Sequence, residues 1–188
     1  MSKRIIVGVT GASGAPLALR CLRALRADGR YEIHLIMTPS ALLTISEECT
    51  ATADDFCALA DRCYANTDTS AAVASGSFRC EGMLIVPCSM KTAAGIVSGY
   101  ADSLLLRAAD VTLKERRPLV LCPRETPMSY IHLRNLSELA RLPEVRIVPP
   151  MMSWYTRPET IEDMETQAAA RLLGVFGVEP EGYKRWND

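Results

Sequence analysis

Short apolar runs alternate with amphipathic segments along the whole chain. The runs are rich in Ile, Val and Leu and alternate little between apolar and polar positions, which is typical of strands covered on both faces. They predict strands at 5–9, 33–37, 83–86, 119–122 and 145–148. Apolar residues at helical spacing predict helices at 16–28, 39–48, 54–63, 89–98, 101–116 and 129–141, and a last helix after Pro158.

This alternation of strands and helices predicts an α/β fold with one open parallel sheet and helices on both of its faces. The 188 residues contain no internal repeat, low-complexity tract or convincing linker, so we expect a single domain over 1–188. In such sheets ligands bind beyond the carboxyl ends of the strands. The loops that follow the strands are therefore where we look for a functional site.

Charge and cysteine content narrow the possible classes. The net charge of −1 provides no electrostatic reason to expect a nucleic acid or an anionic membrane as partner. No two of the seven cysteines form a C-x-x-C pair, so zinc spacing and a redox motif are both absent. Several lie in apolar patterns as small hydrophobes, which favours a reducing cytoplasm. The apolar stretch 5–9 is too short for a signal sequence or a membrane span.

The loop after the first strand reads TGASGAP. Its glycines permit close approach of the backbone to a ligand, and Ser13 places a hydroxyl beside the N–H groups that begin a helix. The spacing G-x-x-G-x-x-G is neither the dinucleotide fingerprint nor the P-loop, and a plain tight turn is the alternative. The second strand leads to Thr38 without the acid that holds a dinucleotide ribose, which argues against NAD.

The third and fourth strands lead into two further polar loops. Ser89 and Thr92 begin a helix, where their hydroxyls either grip a phosphate or a ring edge or simply cap the helix. Arg124 and Glu125 lie between two prolines, where an arginine suits phosphate and a glutamate can move a proton; a surface ion pair is the alternative. Cys88 has no histidine nearby in sequence, so we interpret it as a buried structural thiol.

Two other segments allow two interpretations each. The apolar, aromatic loop 148–160 fits a lid or wall over an apolar ligand, but it also fits packing between subunits or against the last helix. The charges at 114–118 fit a helix end that complements the dipole, although Lys114 could instead reach an anion.

Taken together, the segments GVTGASGAP, SGSF, the block 86–127, IHLRNL and WYTRPETIEDM strongly resemble the flavin prenyltransferase family, the UbiX/Pad-type proteins. The resemblance covers nearly the whole chain, and the block 86–127 is its most specific part. It implies a three-layer, Rossmann- or flavodoxin-like α/β sandwich with a central parallel sheet, assembled as a homododecamer. It also implies metal-independent transfer of dimethylallyl from dimethylallyl phosphate to reduced FMN. The product, prenylated FMN with a fourth ring, is the cofactor of UbiD-type decarboxylases.

The resemblance also implies roles for matching positions. FMN-binding positions would be Gly11, Ala12, Ser13, Thr38, Ser89, Met90, Lys91, Thr92 and Arg124. The phosphate of the donor would be bound by Lys114, Arg124, Tyr155 and Arg171, with Tyr155 and Arg171 supplied across a subunit interface. The C-terminal helix and tail, about 158–188, would pack on neighbouring subunits.

The catalytic candidates are Ser13, Glu48 and Glu125, with Glu47 as an alternative to Glu48 because the loop 28–31 leaves the register uncertain by one. Glu48, Glu125 and released phosphate are all candidate bases, and the sequence does not rank them. Trp154 stands where relatives commonly have phenylalanine, and LARLPEV replaces a usual glycine-containing turn. Both departures bear on substrate fit rather than on residues that carry chemistry.

Two rival functions are less favoured. A flavin-dependent cysteine decarboxylase of the same superfamily needs a histidine near the flavin, whereas His34 is expected within a strand and His132 at a helix start. An electron-carrying or flavin-storing module would not need cations that converge on a second anion.

Overall fold

Six strands and seven helices form the regular structure of residues 3–186, the part of the chain that the computed structural model describes. The strands are β1 Lys3–Val9, β2 Tyr31–Met37, β3 Arg62–Ala65, β4 Met83–Cys88, β5 Leu119–Pro123 and β6 Val145–Ile147. The helices are α1 Ala15–Asp28, α2 Pro39–Glu48, α3 Ala53–Ala58, α4 Met90–Ser98, α5 Leu104–Lys114, α6 Tyr130–Ala140 and α7 Ile161–Leu173.

All strand pairs are parallel, and the order across the sheet is β3-β2-β1-β4-β5-β6. The chain leaves β1 toward one edge and returns at β4 to build the other half of the sheet. The carboxyl ends of β1 and β4 therefore meet at the topological switch point, where doubly wound sheets place their ligands.

The core lies in two layers, one on each face of the sheet. Ile5 and Val7 of β1 pack against α1, α2 and α7, whereas Ile6 faces the layer that contains α5 and α6. Gly8 belongs to the second layer, where a β-carbon would lie 3.0 Å from the Leu105 side chain. The predicted three-layer α/β fold is confirmed. None of the helices between residues 3 and 186 is both long and apolar enough to span a lipid bilayer.

The predicted helix at 54–63 is wrong in its second half. The helix α3 ends at Ala58, and residues 62–65 form the edge strand β3, which pairs with β2. Thr52 and Asp55 form a capping box that starts α3 at the expected place. Because β3 lies at the sheet edge and is largely exposed, it lacks the continuous apolar run by which the other strands are recognised.

Cys57 at the end of α3 and Cys63 in β3 form a disulfide, with Cα atoms 5.5 Å apart. This pair was not predicted from the sequence, because its spacing matches no recognised motif and because the cysteine pattern favoured a reducing compartment. The other five cysteines are free thiols. Cys88 is fully buried, and burial raises the pKa of its thiol, as expected for a structural residue rather than a nucleophile.

Candidate active site at the switch point of the sheet

Thr10 joins the two loops that meet at the switch point. Its buried hydroxyl donates to the carbonyl of Pro87 at 2.7 Å and accepts from the N–H of Ser89 at 2.9 Å. Both distances are those of well-formed hydrogen bonds. The loop after β1 and the loop after β4 are therefore held as one unit.

The loop after β1 needs its glycines. A β-carbon at Gly11 would collide with Ser40 at the start of α2. Gly14 has a φ of 125°, which is in the region that side chains strongly disfavour. The loop therefore lies tightly against α2, and its peptide groups border the space beyond the strands.

Glu48, the last residue of α2, holds the start of α1. Its Oε2 accepts from the N–H groups of Gly14 at 2.8 Å and of Ala15 at 2.9 Å. Burial opposes ionisation, but hydrogen bonds from Ser13, Gly14 and Ala15 and the charge of Arg124 together lower the pKa of Glu48 below its ordinary value. Glu47 is exposed, so the structure places the second of the two adjacent glutamates in the site.

The side chains of Arg124 and Glu125 contact different parts of the chain. The guanidinium Nε of Arg124 donates to the carbonyl of Ser13 at 3.2 Å, which brings the arginine to the glycine loop. The Glu125 carboxylate instead accepts from the N–H of Thr126 at 3.0 Å. Arg124 is thus part of the site formed by the first loop, and Glu125 lies beside it.

On one side of the 10–14 loop lies a cavity of about 470 Å³, called here the apolar cavity. Ser13, Glu48 and Arg124 form its polar end. Its walls come mainly from α1, α7 and the segment before α7, and include Pro16, Leu17, Met151, Met152, Ile161 and Met164. The segment 148–160 thus contributes Met151 and Met152 to a wall, one of the two roles predicted for it.

On the other side lies a cavity of about 520 Å³, called here the hydroxyl cavity. Its lining includes the hydroxyl residues Thr10, Thr38, Ser40, Ser89, Thr92 and Ser103. Three of them, Thr38, Ser89 and Ser103, are the N-caps of α2, α4 and α5. Because a helix N-terminus carries partial positive charge and free N–H groups, three of them at one cavity favour an anion. Capping and ligand binding are thus compatible at the same hydroxyls.

Asn66, Asp102 and Ser103 also line the hydroxyl cavity but were not predicted from the sequence. Asn66 directly follows β3, and its side-chain oxygen accepts from the N–H of Leu105 at 3.0 Å at the start of α5. Recognising β3 as a strand would have pointed to Asn66, because it occupies the carboxyl end of that strand. In the sequence, Ser103 is recognisable only as an N-cap residue, which does not by itself indicate a ligand site.

The remaining predicted residues divide between the neighbourhood of the loops and more distant parts of the chain. Lys91 lines the hydroxyl cavity, whereas Ala12 and Met90 are buried beside the loops. Lys114 lies at the end of α5, near the amino end of β5, where its Nζ is 2.6 Å from Glu115.

The other two predicted donor-binding residues are on the surface of the chain. Tyr155 is 48% exposed and packs edge-on against Trp186, and Arg171 is exposed on α7. Lys114, Tyr155 and Arg171 line neither cavity of their own chain. Within residues 3–186, no cluster of three or more His, Cys, Asp or Glu side chains could hold a metal ion.

The strand order and the two cavities beside the 10–14 loop define a doubly wound α/β protein with a candidate binding site at the switch point of its sheet. A family model described as Flavoprotein matches residues 1–172. A probable UbiX-like flavin prenyltransferase of Escherichia coli O157:H7 is 50% identical over 97% of this chain and 92% of its own length.

Two solved structures are similar over nearly their full length. The crystal structure of AnUbiX (PadA1) in complex with FMN and dimethylallyl pyrophosphate has a TM-score of 0.96 and 46% identity, over 100% of this chain and 99% of that one. A dodecameric FMN-dependent UbiX-like decarboxylase from Escherichia coli O157:H7 has a TM-score of 0.96 and 50% identity, over 98% and 100%.

The chain therefore belongs to the Flavoprotein family and, within it, to the UbiX-like flavin prenyltransferases. The resemblance found in the sequence is confirmed, and so is the predicted transferase class.

Proposed function

We propose that the protein transfers the dimethylallyl group of dimethylallyl phosphate to reduced FMN and forms prenylated FMN. The predicted flavin, FMN, is confirmed by the family match. The observation that carries the finer proposal is the pair of unlike cavities on the two sides of the 10–14 loop. One suits a phosphate-bearing flavin, and the other suits a small apolar group with an anionic end.

The hydroxyl cavity fits the phosphate and ribityl chain of FMN. Thr38, Ser89 and Thr92 offer hydroxyls, and the N-termini of α2, α4 and α5 favour the phosphate charge. Lys91 at the same cavity adds a cation. When bound, reduced FMN supplies the nucleophilic ring nitrogen that accepts the prenyl group.

The apolar cavity fits the prenyl donor. Arg124 and Ser13 stand at its polar end, where the phosphate leaves with the negative charge of the broken carbon–oxygen bond. Leu17, Met152 and Met164 provide apolar surface that suits an allylic group with cationic character. Met152 is 52% exposed in the single chain, so exclusion of water requires the neighbouring subunits.

Proton removal is better assigned to the released phosphate than to either glutamate. The pKa of Glu48 is lowered, and protonation of Glu48 Oε2 would cost its bonds to Gly14 and Ala15. Glu125 accepts from Thr126 and lines neither cavity. The phosphate released beside Arg124 is the remaining candidate of the three that the sequence suggested.

Neighbouring subunits complete the site in this proposal. Tyr155 and Arg171 carry predicted contacts to the donor phosphate, yet neither lines a cavity of its own chain. Lys114 lies near the amino end of β5, at the edge of the sheet opposite the 10–14 loop, so its predicted phosphate contact is not part of the proposed site. A homododecamer, in which residues 158–188 pack on neighbours, would bring Tyr155 and Arg171 to the apolar cavity of another copy. The resemblance further supports a UbiD-type decarboxylase as recipient of the product. The five free thiols support the cytoplasmic location that the cysteine pattern favoured, whereas the Cys57–Cys63 disulfide counts against it.

The test is anaerobic incubation with reduced FMN and dimethylallyl phosphate, followed by mass spectrometry of the released flavin. We expect a five-carbon adduct; its absence, with dimethylallyl pyrophosphate also inactive, would overturn the proposal. His34 and His132 line neither cavity, which disfavours the cysteine decarboxylase alternative. The variant His132→Asn should accordingly retain full prenyl transfer.

A further inference from the structure

Asn66 connects the end of β3 to the start of α5 in the lining of the hydroxyl cavity. Its backbone carbonyl accepts from the N–H of Leu104 at 2.8 Å, and its side-chain Oδ1 accepts from the N–H of Leu105 at 3.0 Å. These are the first two N–H groups of α5, which a helix start leaves without a partner inside the helix. The position of Asn66 is therefore fixed from both its backbone and its side chain.

The hydrogen bond to Leu105 determines the orientation of the Asn66 amide. A backbone N–H can only donate, so the atom that it meets is the amide oxygen, and the amide nitrogen is the other branch of the side chain. Within residues 3–186, Oδ1 is the one side-chain atom of Asn66 that forms a hydrogen bond. Because Asn66 lines the cavity and its oxygen bonds to α5, Nδ2 with its two N–H donors is the group left to contact a ligand.

Neutral donors determine whether the hydroxyl cavity prefers an anion. Its lining contains one cation, Lys91, and one carboxylate, Asp102, so the formal charges of its side chains cancel. At α5 the first two N–H groups already bond to Asn66, so the donor available at this corner is Nδ2. A donor that is already held in place loses little conformational freedom when it binds a ligand.

We propose that Asn66 makes the site select FMN over riboflavin, because its Nδ2 donates to the phosphate of the flavin. The inference rests on the proposed function, in which the hydroxyl cavity takes the phosphate. A hydrogen bond to a charged phosphate oxygen is roughly twice as strong as one between neutral groups. Riboflavin lacks the phosphate and gains nothing from this contact.

The variant Asn66→Asp separates a phosphate contact from a role in capping α5. The aspartate keeps an acceptor for the N–H of Leu105 and suits a helix start, but it replaces Nδ2 by a charged oxygen that repels phosphate. Fluorescence titrations of flavin-free, full-length protein with oxidised FMN and with riboflavin measure the two dissociation constants. We expect FMN binding to weaken at least about tenfold and riboflavin binding to change less than about twofold.

Thr69→Asp is the matched control, because it adds the same charge in the same loop. Thr69 is exposed and lines neither cavity, so the ratio of FMN to riboflavin affinity should stay within about twofold of the unmodified protein. Capping alone predicts the same unchanged ratio for Asn66→Asp, and that result would overturn the inference. Should the Asp variant fail to fold, Asn66→Ala removes the donor without adding charge, and an unchanged ratio there would overturn it equally.

Lys91→Met distinguishes failure of this inference from failure of the proposed function. Lys91 is the cation of the lining, so its loss should also lower the affinity ratio if the phosphate binds in the hydroxyl cavity. A lowered ratio in Lys91→Met with an unchanged ratio in Asn66→Asp would reject the role of Asn66 alone. Unchanged ratios in both variants would reject the hydroxyl cavity as the phosphate site. The titrations require no prenyl transfer, which the five-carbon adduct tests separately.

Discussion

The carboxylate of Glu48 accepts a hydrogen bond of 2.8 Å from the N–H of Gly14. This contact joins the last residue of α2 to the N-cap of α1, so the position of the glycine loop depends on a side chain 34 residues further along the chain. The same oxygen accepts from Ala15, and the two bonds satisfy N–H groups that a helix start otherwise leaves free.

We expect Glu48→Gln to lower the free energy of unfolding by about 1–2 kcal/mol, because two hydrogen bonds lose their charged acceptor and α1 loses a favourable charge at its N-terminus. Chemical denaturation measures the change. Glu47→Gln is the matched control, since Glu47 is exposed, and it should change stability by less than about 0.5 kcal/mol. Equal losses in both variants would show that the contact to α1 is unimportant for stability.

The lowered pKa of Glu48 predicts a pH dependence of stability. A carboxyl whose pKa is lower in the folded than in the unfolded state stabilises the fold at pH values above its ordinary pKa, here 4.5. That stabilisation is lost as the pH falls from 4.5 toward the lower pKa that the carboxyl has in the folded state. The stability difference between the unmodified protein and Glu48→Gln should therefore be constant from pH 7 to about 5.5 and shrink below pH 4.5. Urea titrations at each pH would detect it, and a difference that grows on acidification would contradict the assignment.

Thr10 offers a test of the link between the two loops. Replacing Thr10 by Val removes a buried hydroxyl and leaves the N–H of Ser89 and the carbonyl of Pro87 without their partner. We expect a loss of about 1–3 kcal/mol in unfolding free energy and weaker FMN binding, because Ser89 caps α4 at the hydroxyl cavity. Thr10→Ser keeps the hydroxyl and should retain most of both properties. Flavin fluorescence and denaturation measure them, and a Val variant that binds FMN normally would separate the loop link from the flavin site.

Much of the site could be predicted because it depends on local sequence. Thr38 and Ser89 directly follow buried strands, and in a parallel sheet the position after a strand is enough to place a residue at the ligand edge. Gly11 and Gly14 were recognisable for the same reason. Asn66 was missed because it follows the exposed edge strand β3, whose sequence has no apolar run.

Other residues depend on packing that a sequence pattern does not reveal. The place of Glu165 in the cavity wall follows from the way α7 packs on α1, which no spacing within α7 predicts. The choice of Glu48 over Glu47 follows from the face that α2 turns toward α1. Tyr155 and Arg171 line neither cavity of their own chain, so the contacts that we propose for them would be made in the site of another copy.

The sharing of a site between subunits can be tested by mixing two inactive variants. Arg124→Ala should lose the phosphate contact at the apolar cavity, and Arg171→Ala should lose the contact that we assign to a neighbouring copy. If Arg124 and Arg171 of one site come from different subunits, an equal random mixture contains intact sites in about a quarter of positions. Co-assembly of the two variants should thus restore about a quarter of the normal activity, whereas each variant alone stays inactive. Co-assembly of Arg124→Ala with itself, carrying a second purification tag, is the control for the mixing procedure. Activity that remains at the level of the separate variants would place both arginines in the same subunit's site and remove the need for a shared one.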